Sequence, residues 1–144
     1  MYAYPSQFPD DLINVIANNQ KVCKYIDIPL QHISDSILRS MRRGVTKKRT
    51  IELVNKLKEK IPGLALRTTF IAGYPNETEK EFNELCNFVE EMMFDRVGTF
   101  TFSVEENTSS FILGDPIPEE IKLERKGILM EIQKEISLIR NLEY

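Results

Sequence analysis

The sequence predicts an α/β fold: a partial parallel (β/α) TIM-like barrel fragment of about four strands plus a long C-terminal helix. Three observations carry this. Short β-branched and aromatic runs alternate with helical patterns along the whole chain. Every connection between successive strands is long enough to hold a helix, which makes the strands parallel, with right-handed crossovers. A closed eight-unit barrel takes about 250 residues, whereas this chain has 144. The chain also begins inside a strand pattern, so it reads as a piece of a larger α/β enzyme.

Each element has a local cause. Tyr2 to Tyr4 is the stub of a strand. Pro9-Asp10-Asp11 opens a helix with Leu12, Ile13 and Ile16 on one face, the acidic residues suiting a helix start. Tyr25 to Pro29 is the next strand, ended by its proline. A helix capped by Ser34 buries Ile37, Leu38 and Met41 and stops at Gly44. A second runs from Lys48 to Ile61 with Ile51, Val54, Leu57 and Ile61 at helical spacing. Pro62-Gly63 turns the chain into a strand from Leu64 to Ala72. Thr78 and Glu81 form a capping box before a helix that turns Phe82, Leu85, Cys86, Val89 and Met92 inward. Arg96 to Ser103 is the last strand, and a polar loop, Glu105 to Ser110, follows it. Pro118-Glu119-Glu120 then starts the long helix, with Ile121, Ile128, Ile132 and Ile136 on one stripe.

Composition narrows the function. With 19 Lys+Arg against 22 Asp+Glu the net charge is −3, which argues against strong nucleic-acid binding by phosphate neutralisation. No apolar run approaches the length of about 18 residues that suggests a membrane span, and Met1-Tyr2-Ala3-Tyr4-Pro5 lacks the basic and apolar stretches of a secretory leader. A cytoplasmic protein with no membrane partner is expected. Cys23 and Cys86 belong to no C-x-x-C cluster and read as buried thiols rather than a disulfide. With a single histidine, His32, a Cys/His metal site built from this chain alone is not expected.

Side chains alternate along a strand, so each strand has a more polar face. Arg67, Thr69 and Ile71 share one face; Leu66, Thr68 and Phe70 share the other. Asp27 lies with Tyr25 and Pro29, and in the last strand Thr99, Thr101 and Ser103 oppose Phe100 and Phe102. The apolar faces should lie beneath the helices and the polar ones look into a lumen. A charge on a central strand is costly unless paired, so an Asp27–Arg67 ion pair is expected on the lumen side.

Ligands of parallel α/β folds bind at the carboxyl ends of strands. Four such loops are legible: Pro5-Ser6-Gln7-Phe8, Pro29-Leu30-Gln31-His32, Gly73-Tyr74-Pro75-Asn76-Glu77 and Val104-Glu105-Glu106-Asn107-Thr108. Gly73 permits close backbone approach to a ligand, and Glu77 precedes a helix N-terminus. His32 reads as a hydrogen-bonded structural histidine rather than a catalytic one. Arg39, Arg42, Arg43, Lys47, Lys48 and Arg49 form a basic cluster, either a solvated surface or a contact for an acidic partner.

Four stretches, Tyr25-Ile-Asp-Ile-Pro-Leu-Gln-His32, Met41-Arg-Arg-Gly44, Leu66-Arg-Thr-Thr-Phe-Ile-Ala-Gly-Tyr-Pro-Asn-Glu-Thr78 and Phe94-Asp-Arg-Val-Gly98, resemble the radical S-adenosylmethionine methylthiotransferases across nearly the whole chain. The wording is similar to the branch that modifies an aspartate of a small-subunit ribosomal protein. The tRNA-modifying relatives usually read His-x-Pro-x-Gln-Ser where this chain has Asp27-Ile-Pro-Leu-Gln-His32. The resemblance implies S-adenosyl-L-methionine as cosubstrate and two 4Fe-4S clusters in the intact enzyme. It also implies a radical reaction that installs a methylthio group on the β-carbon of the target aspartate. It divides the chain into residues 1–113, the second part of the barrel, and 114–144, the exit helix.

This chain lacks the family's C-x-x-x-C-x-x-C loop, so no cluster is expected to be ligated by it and no residue of it is assigned a catalytic role. The chain alone is expected to be inactive. The resemblance implies cosubstrate contacts from Gln31, Ile71 and Gly73, with Glu77 one place from the family's usual glutamate. Arg67, Thr69 and Glu105 are the further lumen and rim candidates. Two alternatives stay open: the tRNA-modifying branch, and a non-catalytic α/β interaction module. Strands cut from a barrel leave unpaired backbone at the first strand, which favours edge-strand self-association.

Overall fold

The computed structural model describes residues 10–19, 21, 24–42, 44–103 and 116–143. The expected strand at Tyr2–Tyr4, the loop Pro5–Phe8, Cys23, Arg43 and the loop carrying Glu105 lie outside the described residues, as does the Leu12 side chain. The elements are α1 (Asp10–Asn18), β1 (Tyr25–Gln31), α2 (Asp35–Ser40), α3 (Lys47–Lys60), β2 (Ala65–Ala72), α4 (Glu79–Met92), β3 (Arg96–Thr101) and α5 (Glu119–Glu143).

The three strands form one sheet in the order β1-β2-β3, and both pairings are parallel. This is the arrangement that helix-containing crossovers impose. Asp27 pairs with Arg67 and Thr69 with Gly98. The β1–β2 register shifts between Ile28 and Gln31. Pro29 has no N–H for the ladder, and the next donor, Leu30 N–H, bonds the Thr68 hydroxyl instead at 3.2 Å. That bond accounts for a threonine that is fully buried.

One sheet face is covered by helices. Ile26, Ile28, Leu66 and Phe70 are buried there with Val54 and Leu57 of α3, Leu85 and Val89 of α4 and Leu129 of α5. Phe70 meets the ring edges of Phe88 and Phe94 at 6.2 and 6.1 Å. Two helix starts follow their sequence signals, whereas Ser34, at the start of α2, turns its hydroxyl to Ser36 and makes no side-chain cap hydrogen bond. Thr46 accepts the Arg49 N–H at the start of α3. Thr78 and Glu81 form the expected capping box, in which the Thr78 N–H donates to Glu81 Oε2 at 3.0 Å.

Three expectations need correction. In β3 the helix-covered face carries Thr99, which pairs with Phe70, while Phe100 pairs with Ile71 and points to the lumen side; Phe102, just past the strand, is buried with Tyr74, Ile37 and Met41. Paired residues of a parallel ladder share a face, so the register to β2 overrides the polarity of β3. The buried stripe of α5 is Lys122, Leu129, Gln133 and Ile136; Ile121 and Ile128 are exposed. The helix is rotated so that Lys122 reaches the sheet, as the next subsection shows. In α4, Phe88 is buried while Cys86 is only half-buried beside the core. Burial pushes the Cys86 thiol up to about 11, with help from the charges of Glu90 and Glu77.

Candidate functional site

The lumen face is organised around one ion pair. Arg67 Nη1 donates to Asp27 Oδ2 at 2.7 Å, as the strand pattern predicts. The side chains keep 36% and 19% of their exposure, so the pair is held by the sheet yet open to a ligand. The other Asp27 oxygen, Oδ1, is buried with no hydrogen-bond partner among the described residues. Gly98 makes room for the guanidinium: a Cβ there would stand 3.3 Å from Thr69 Cγ2 and 3.4 Å from Arg67 Nη2. Thr69 and Ile71 are half-buried on the same face. Phe100 beside them leaves 56% of its surface exposed.

The carboxyl ends of β1 and β2 form a second, buried layer. Gln31 ends β1 with φ 72, and His32 N–H bonds back to Leu30 O at 2.9 Å. A bond from a residue to the carbonyl two places earlier closes a γ-turn, and positive φ at its centre is the strained form. The His32 ring is buried. Its Nδ1 accepts the Ser34 N–H at 3.1 Å, so Nε2 carries the hydrogen and donates to Glu77 Oε2 at 2.7 Å. Glu77 Oε1 accepts the Gly73 N–H at 3.0 Å and Arg125 Nη1 at 2.8 Å, and Arg125 Nη1 also reaches the Glu77 carbonyl at 2.9 Å. A buried carboxylate is tolerable only when it is satisfied in this way.

α5 closes this end of the sheet. Gly73 has φ 82, and a Cβ on it would lie 2.3 Å from Lys122 Cγ. The space that the sequence reading left for ligand approach is filled by the lysine stem. Lys122 Nζ donates to Phe102 O at 3.1 Å, and Phe102 meets Tyr74 edge-on at 5.3 Å. With Ile37 and Met41 they form a second apolar cluster. The Ser40 hydroxyl donates to Tyr74 Oη at 3.2 Å, which ties α2 to the β2 end.

The structure therefore brings Arg67, Thr69 and Ile71 together on the lumen face and Gln31, Gly73 and Glu77 at the adjoining strand ends. In the basic cluster, Arg39, Arg42, Lys48 and Arg49 are exposed while Lys47 pairs with Glu84 at 3.2 Å. Sequence reasoning missed Lys122, Arg125 and Phe100. A signal existed for the first two: Lys122, Arg125 and Leu129 follow each other at helical spacing, so both cations share the stripe of a core leucine. For Phe100 the signal was Gly98, two residues before it and so on the same face, where a missing side chain leaves room for that of Arg67.

The residues present fit a polar, zwitterionic cosubstrate. Asp27 Oδ1 is a buried acceptor still to be satisfied, Arg67 offers donors, and Phe100 offers an apolar surface for a ring. Among the described residues no group of three or more His, Cys, Asp or Glu side chains is placed to hold a metal ion. No helix of the described residues is long and apolar enough to cross a membrane.

Residues 3–89 match the family model of the Radical SAM superfamily. The chain is 53% identical over 136 residues to the ribosomal protein uS12 methylthiotransferase RimO of Cytophaga hutchinsonii, covering 94% of this chain and 31% of that protein. It is 51% identical over 142 residues to the protein of the same name from Caldanaerobacter subterraneus, covering 99% of this chain and 32% of that one. The chain thus spans about a third of the length of these curated relatives. Among solved structures it resembles coproporphyrinogen III oxidase (HemN) from Escherichia coli, described as a radical SAM enzyme. The TM-score is 0.75 at 15% identity, over 94% of this chain and 31% of that one, a likeness of fold. A parallel sheet under helices, an open polar lumen face and a family match over more than half the residues agree: the chain belongs to the radical SAM superfamily.

Proposed function

We propose that the chain is the second part of the radical SAM barrel, residues 1–113, with its exit helix, residues 114–144, of a methylthiotransferase. The enzyme acts on the β-carbon of an aspartate in the small-subunit ribosomal protein uS12. The observation that carries this reading is the identity of about half to RimO proteins along nearly the whole chain. The Asp27–Arg67 pair on an open lumen face supports it, because it offers a zwitterion one satisfied and one unsatisfied charged contact.

In this reading S-adenosyl-L-methionine lies against Gln31, Arg67, Thr69, Ile71 and the strand end at Gly73. Glu105, which follows β3 in the sequence, is proposed as a further contact, and Glu77 acts from behind the site. When bound, the cosubstrate and two 4Fe-4S clusters supply the radical chemistry, and the cysteines that hold the clusters come from outside this chain. This chain's residues bind, orient and exclude water. Arg67 and Asp27 hold charged groups, Phe100 covers a ring and Gln31 offers an amide. The same reading leaves one sheet edge of the isolated chain unpaired. Sedimentation of the isolated chain should then show self-association, and a monodisperse monomer would count against it.

The test is a reaction of the intact, cluster-loaded enzyme with S-adenosylmethionine, a reductant and purified uS12. Mass spectrometry should find one methylthio group in place of hydrogen on one aspartate. Modification of tRNA with uS12 untouched would move the enzyme to the other branch. Neither product would leave the chain as a binding module.

A further inference from the structure

Three non-glycine residues among those described have positive φ: Gln31, Arg42 and Met93. Met93 caps α4, and Arg42 follows Met41, the cap of α2. Left-handed backbone is ordinary at a helix end. Gln31 instead ends a strand, where the β1–β2 register shifts between Ile28 and Gln31 and no helix carbonyls need capping. Among the described residues its side-chain amide has no partner. Immediately beside it lies a buried, fully bonded polar network, His32–Glu77–Arg125.

Turn and network are mechanically linked. The positive φ of Gln31 and the His32 N–H bond to Leu30 O set the direction in which the chain leaves β1, and so where the His32 ring stands. Both ring nitrogens are engaged, Nδ1 at 3.1 Å by Ser34 N–H and Nε2 at 2.7 Å by Glu77. Glu77 is itself fixed by Gly73 N–H on β2's end and by Arg125 on α5. The network thus anchors the residue that follows Gln31 from both ring nitrogens. Strain at a strand end that the surroundings over-determine is the mark of a functional position.

We infer that His32, Glu77 and Arg125 are positioning residues that hold Gln31 in its strained γ-turn and thereby present its amide to the cosubstrate. This rests on the reading above, in which S-adenosylmethionine lies against β1's end. It adds that α5, the helix beyond the barrel strands, takes part in cosubstrate binding through Arg125 without touching the ligand. The work of the sole histidine is to fix a backbone angle; it exchanges no proton with a substrate.

A double-mutant cycle in the intact, cluster-loaded enzyme tests it. The dissociation constant for S-adenosylmethionine is read by calorimetry without reductant, so turnover plays no part, and melting temperatures are recorded alongside. Gln31→Gly removes the amide and suits φ 72; it should weaken binding about tenfold, the scale of one lost hydrogen bond, with an unchanged or higher melting temperature. His32→Asn keeps an acceptor for Ser34 N–H and drops the link to Glu77; it should also weaken binding about tenfold. The double variant should bind no more weakly than Gln31→Gly alone, because the histidine acts through the glutamine. Losses that multiply, or native affinity in His32→Asn, overturn the inference. If His32→Asn does not fold, His32→Gln runs the same cycle under the same criterion. A native enzyme with no affinity for S-adenosylmethionine would sink the proposed function instead, so the two failures are distinguishable.

Discussion

The two faces of the β1–β2–β3 sheet solve different problems. On the covered face Ile26, Ile28, Leu66 and Phe70 lie buried among four helices, and each is held by many weak contacts with no direction. On the lumen face Asp27, Arg67, Thr69 and Phe100 keep part of their surface open, and the contact between the first two is directional at 2.7 Å. Identical backbone thus packs a core on one side and leaves a directional polar pair open on the other. The difference teaches where a substitution is felt. Covered-face changes should appear in the unfolding free energy, and lumen-face changes in ligand affinity.

The largest expected effect is on the covered face. Phe70→Ala removes a ring packed edge-on against Phe88 and Phe94. It should cost about 3–5 kcal/mol in urea unfolding, while the folded fraction of intact enzyme keeps its KM for S-adenosylmethionine. A changed KM would blur the separation of the two faces. The reciprocal change is Arg67→Leu. It leaves Asp27, whose Oδ1 is already buried, without its cation, so stability should fall by about 1–3 kcal/mol, less than for Phe70→Ala, and the KM should rise about tenfold as a charge-assisted contact is lost.

Thr99 offers a test of the register argument. It sits on the covered face with its hydroxyl buried and without a partner among the described residues. Thr99→Val should stabilise the chain by about 1 kcal/mol, since removing an unsatisfied hydroxyl recovers its desolvation cost. A loss of stability would mean that the hydroxyl has a partner. Cys86 probes the edge of the same face. With its thiol pushed up to about 11 by burial, native protein at pH 8 should react with iodoacetamide much more slowly than protein unfolded in urea. Equal rates would show the thiol to be open.

The smallest effect lies outside both faces. The Glu81 carboxyl is held below its ordinary range, first by the hydrogen bond from the Thr78 side chain. A lowered folded pKa stabilises the chain above the unfolded pKa, and this contribution fades as pH falls through the folded value. Glu81→Ala should cost about 0.5 kcal/mol at pH 7, with the difference from native shrinking in acid. A difference independent of pH would show that the carboxylate is not the stabilising form.

The elements were legible because each has a local cause. Pro62-Gly63 turns the chain, Thr78 with Glu81 starts α4, and alternation in Leu66 to Ile71 marks a two-faced strand. The Asp27–Arg67 pair was legible too, because an unpaired charge on a central strand is too costly to persist. The faces of β3 were not. Its polarity, Thr99 and Thr101 against Phe100 and Phe102, points the wrong way, and only the ladder to β2 sets which side looks at the lumen. The stripe of α5 was misread for a related reason. Ile121 and Ile128 suggest a face by hydrophobicity, whereas Lys122 and Arg125 are turned inward by acceptors on distant segments, Phe102 O and Glu77.

Sequence alone determined the parallel α/β plan, the membership of the strands and the charged pair, since short-range periodicity, capping and the cost of burying charge act within or between neighbouring elements. Tertiary structure decided the inward side of β3, the rotation of α5 and the union of His32, Glu77 and Arg125. Those depend on hydrogen-bond partners that lie 45 and 48 residues apart along the chain and meet only when the strand ends and the last helix converge.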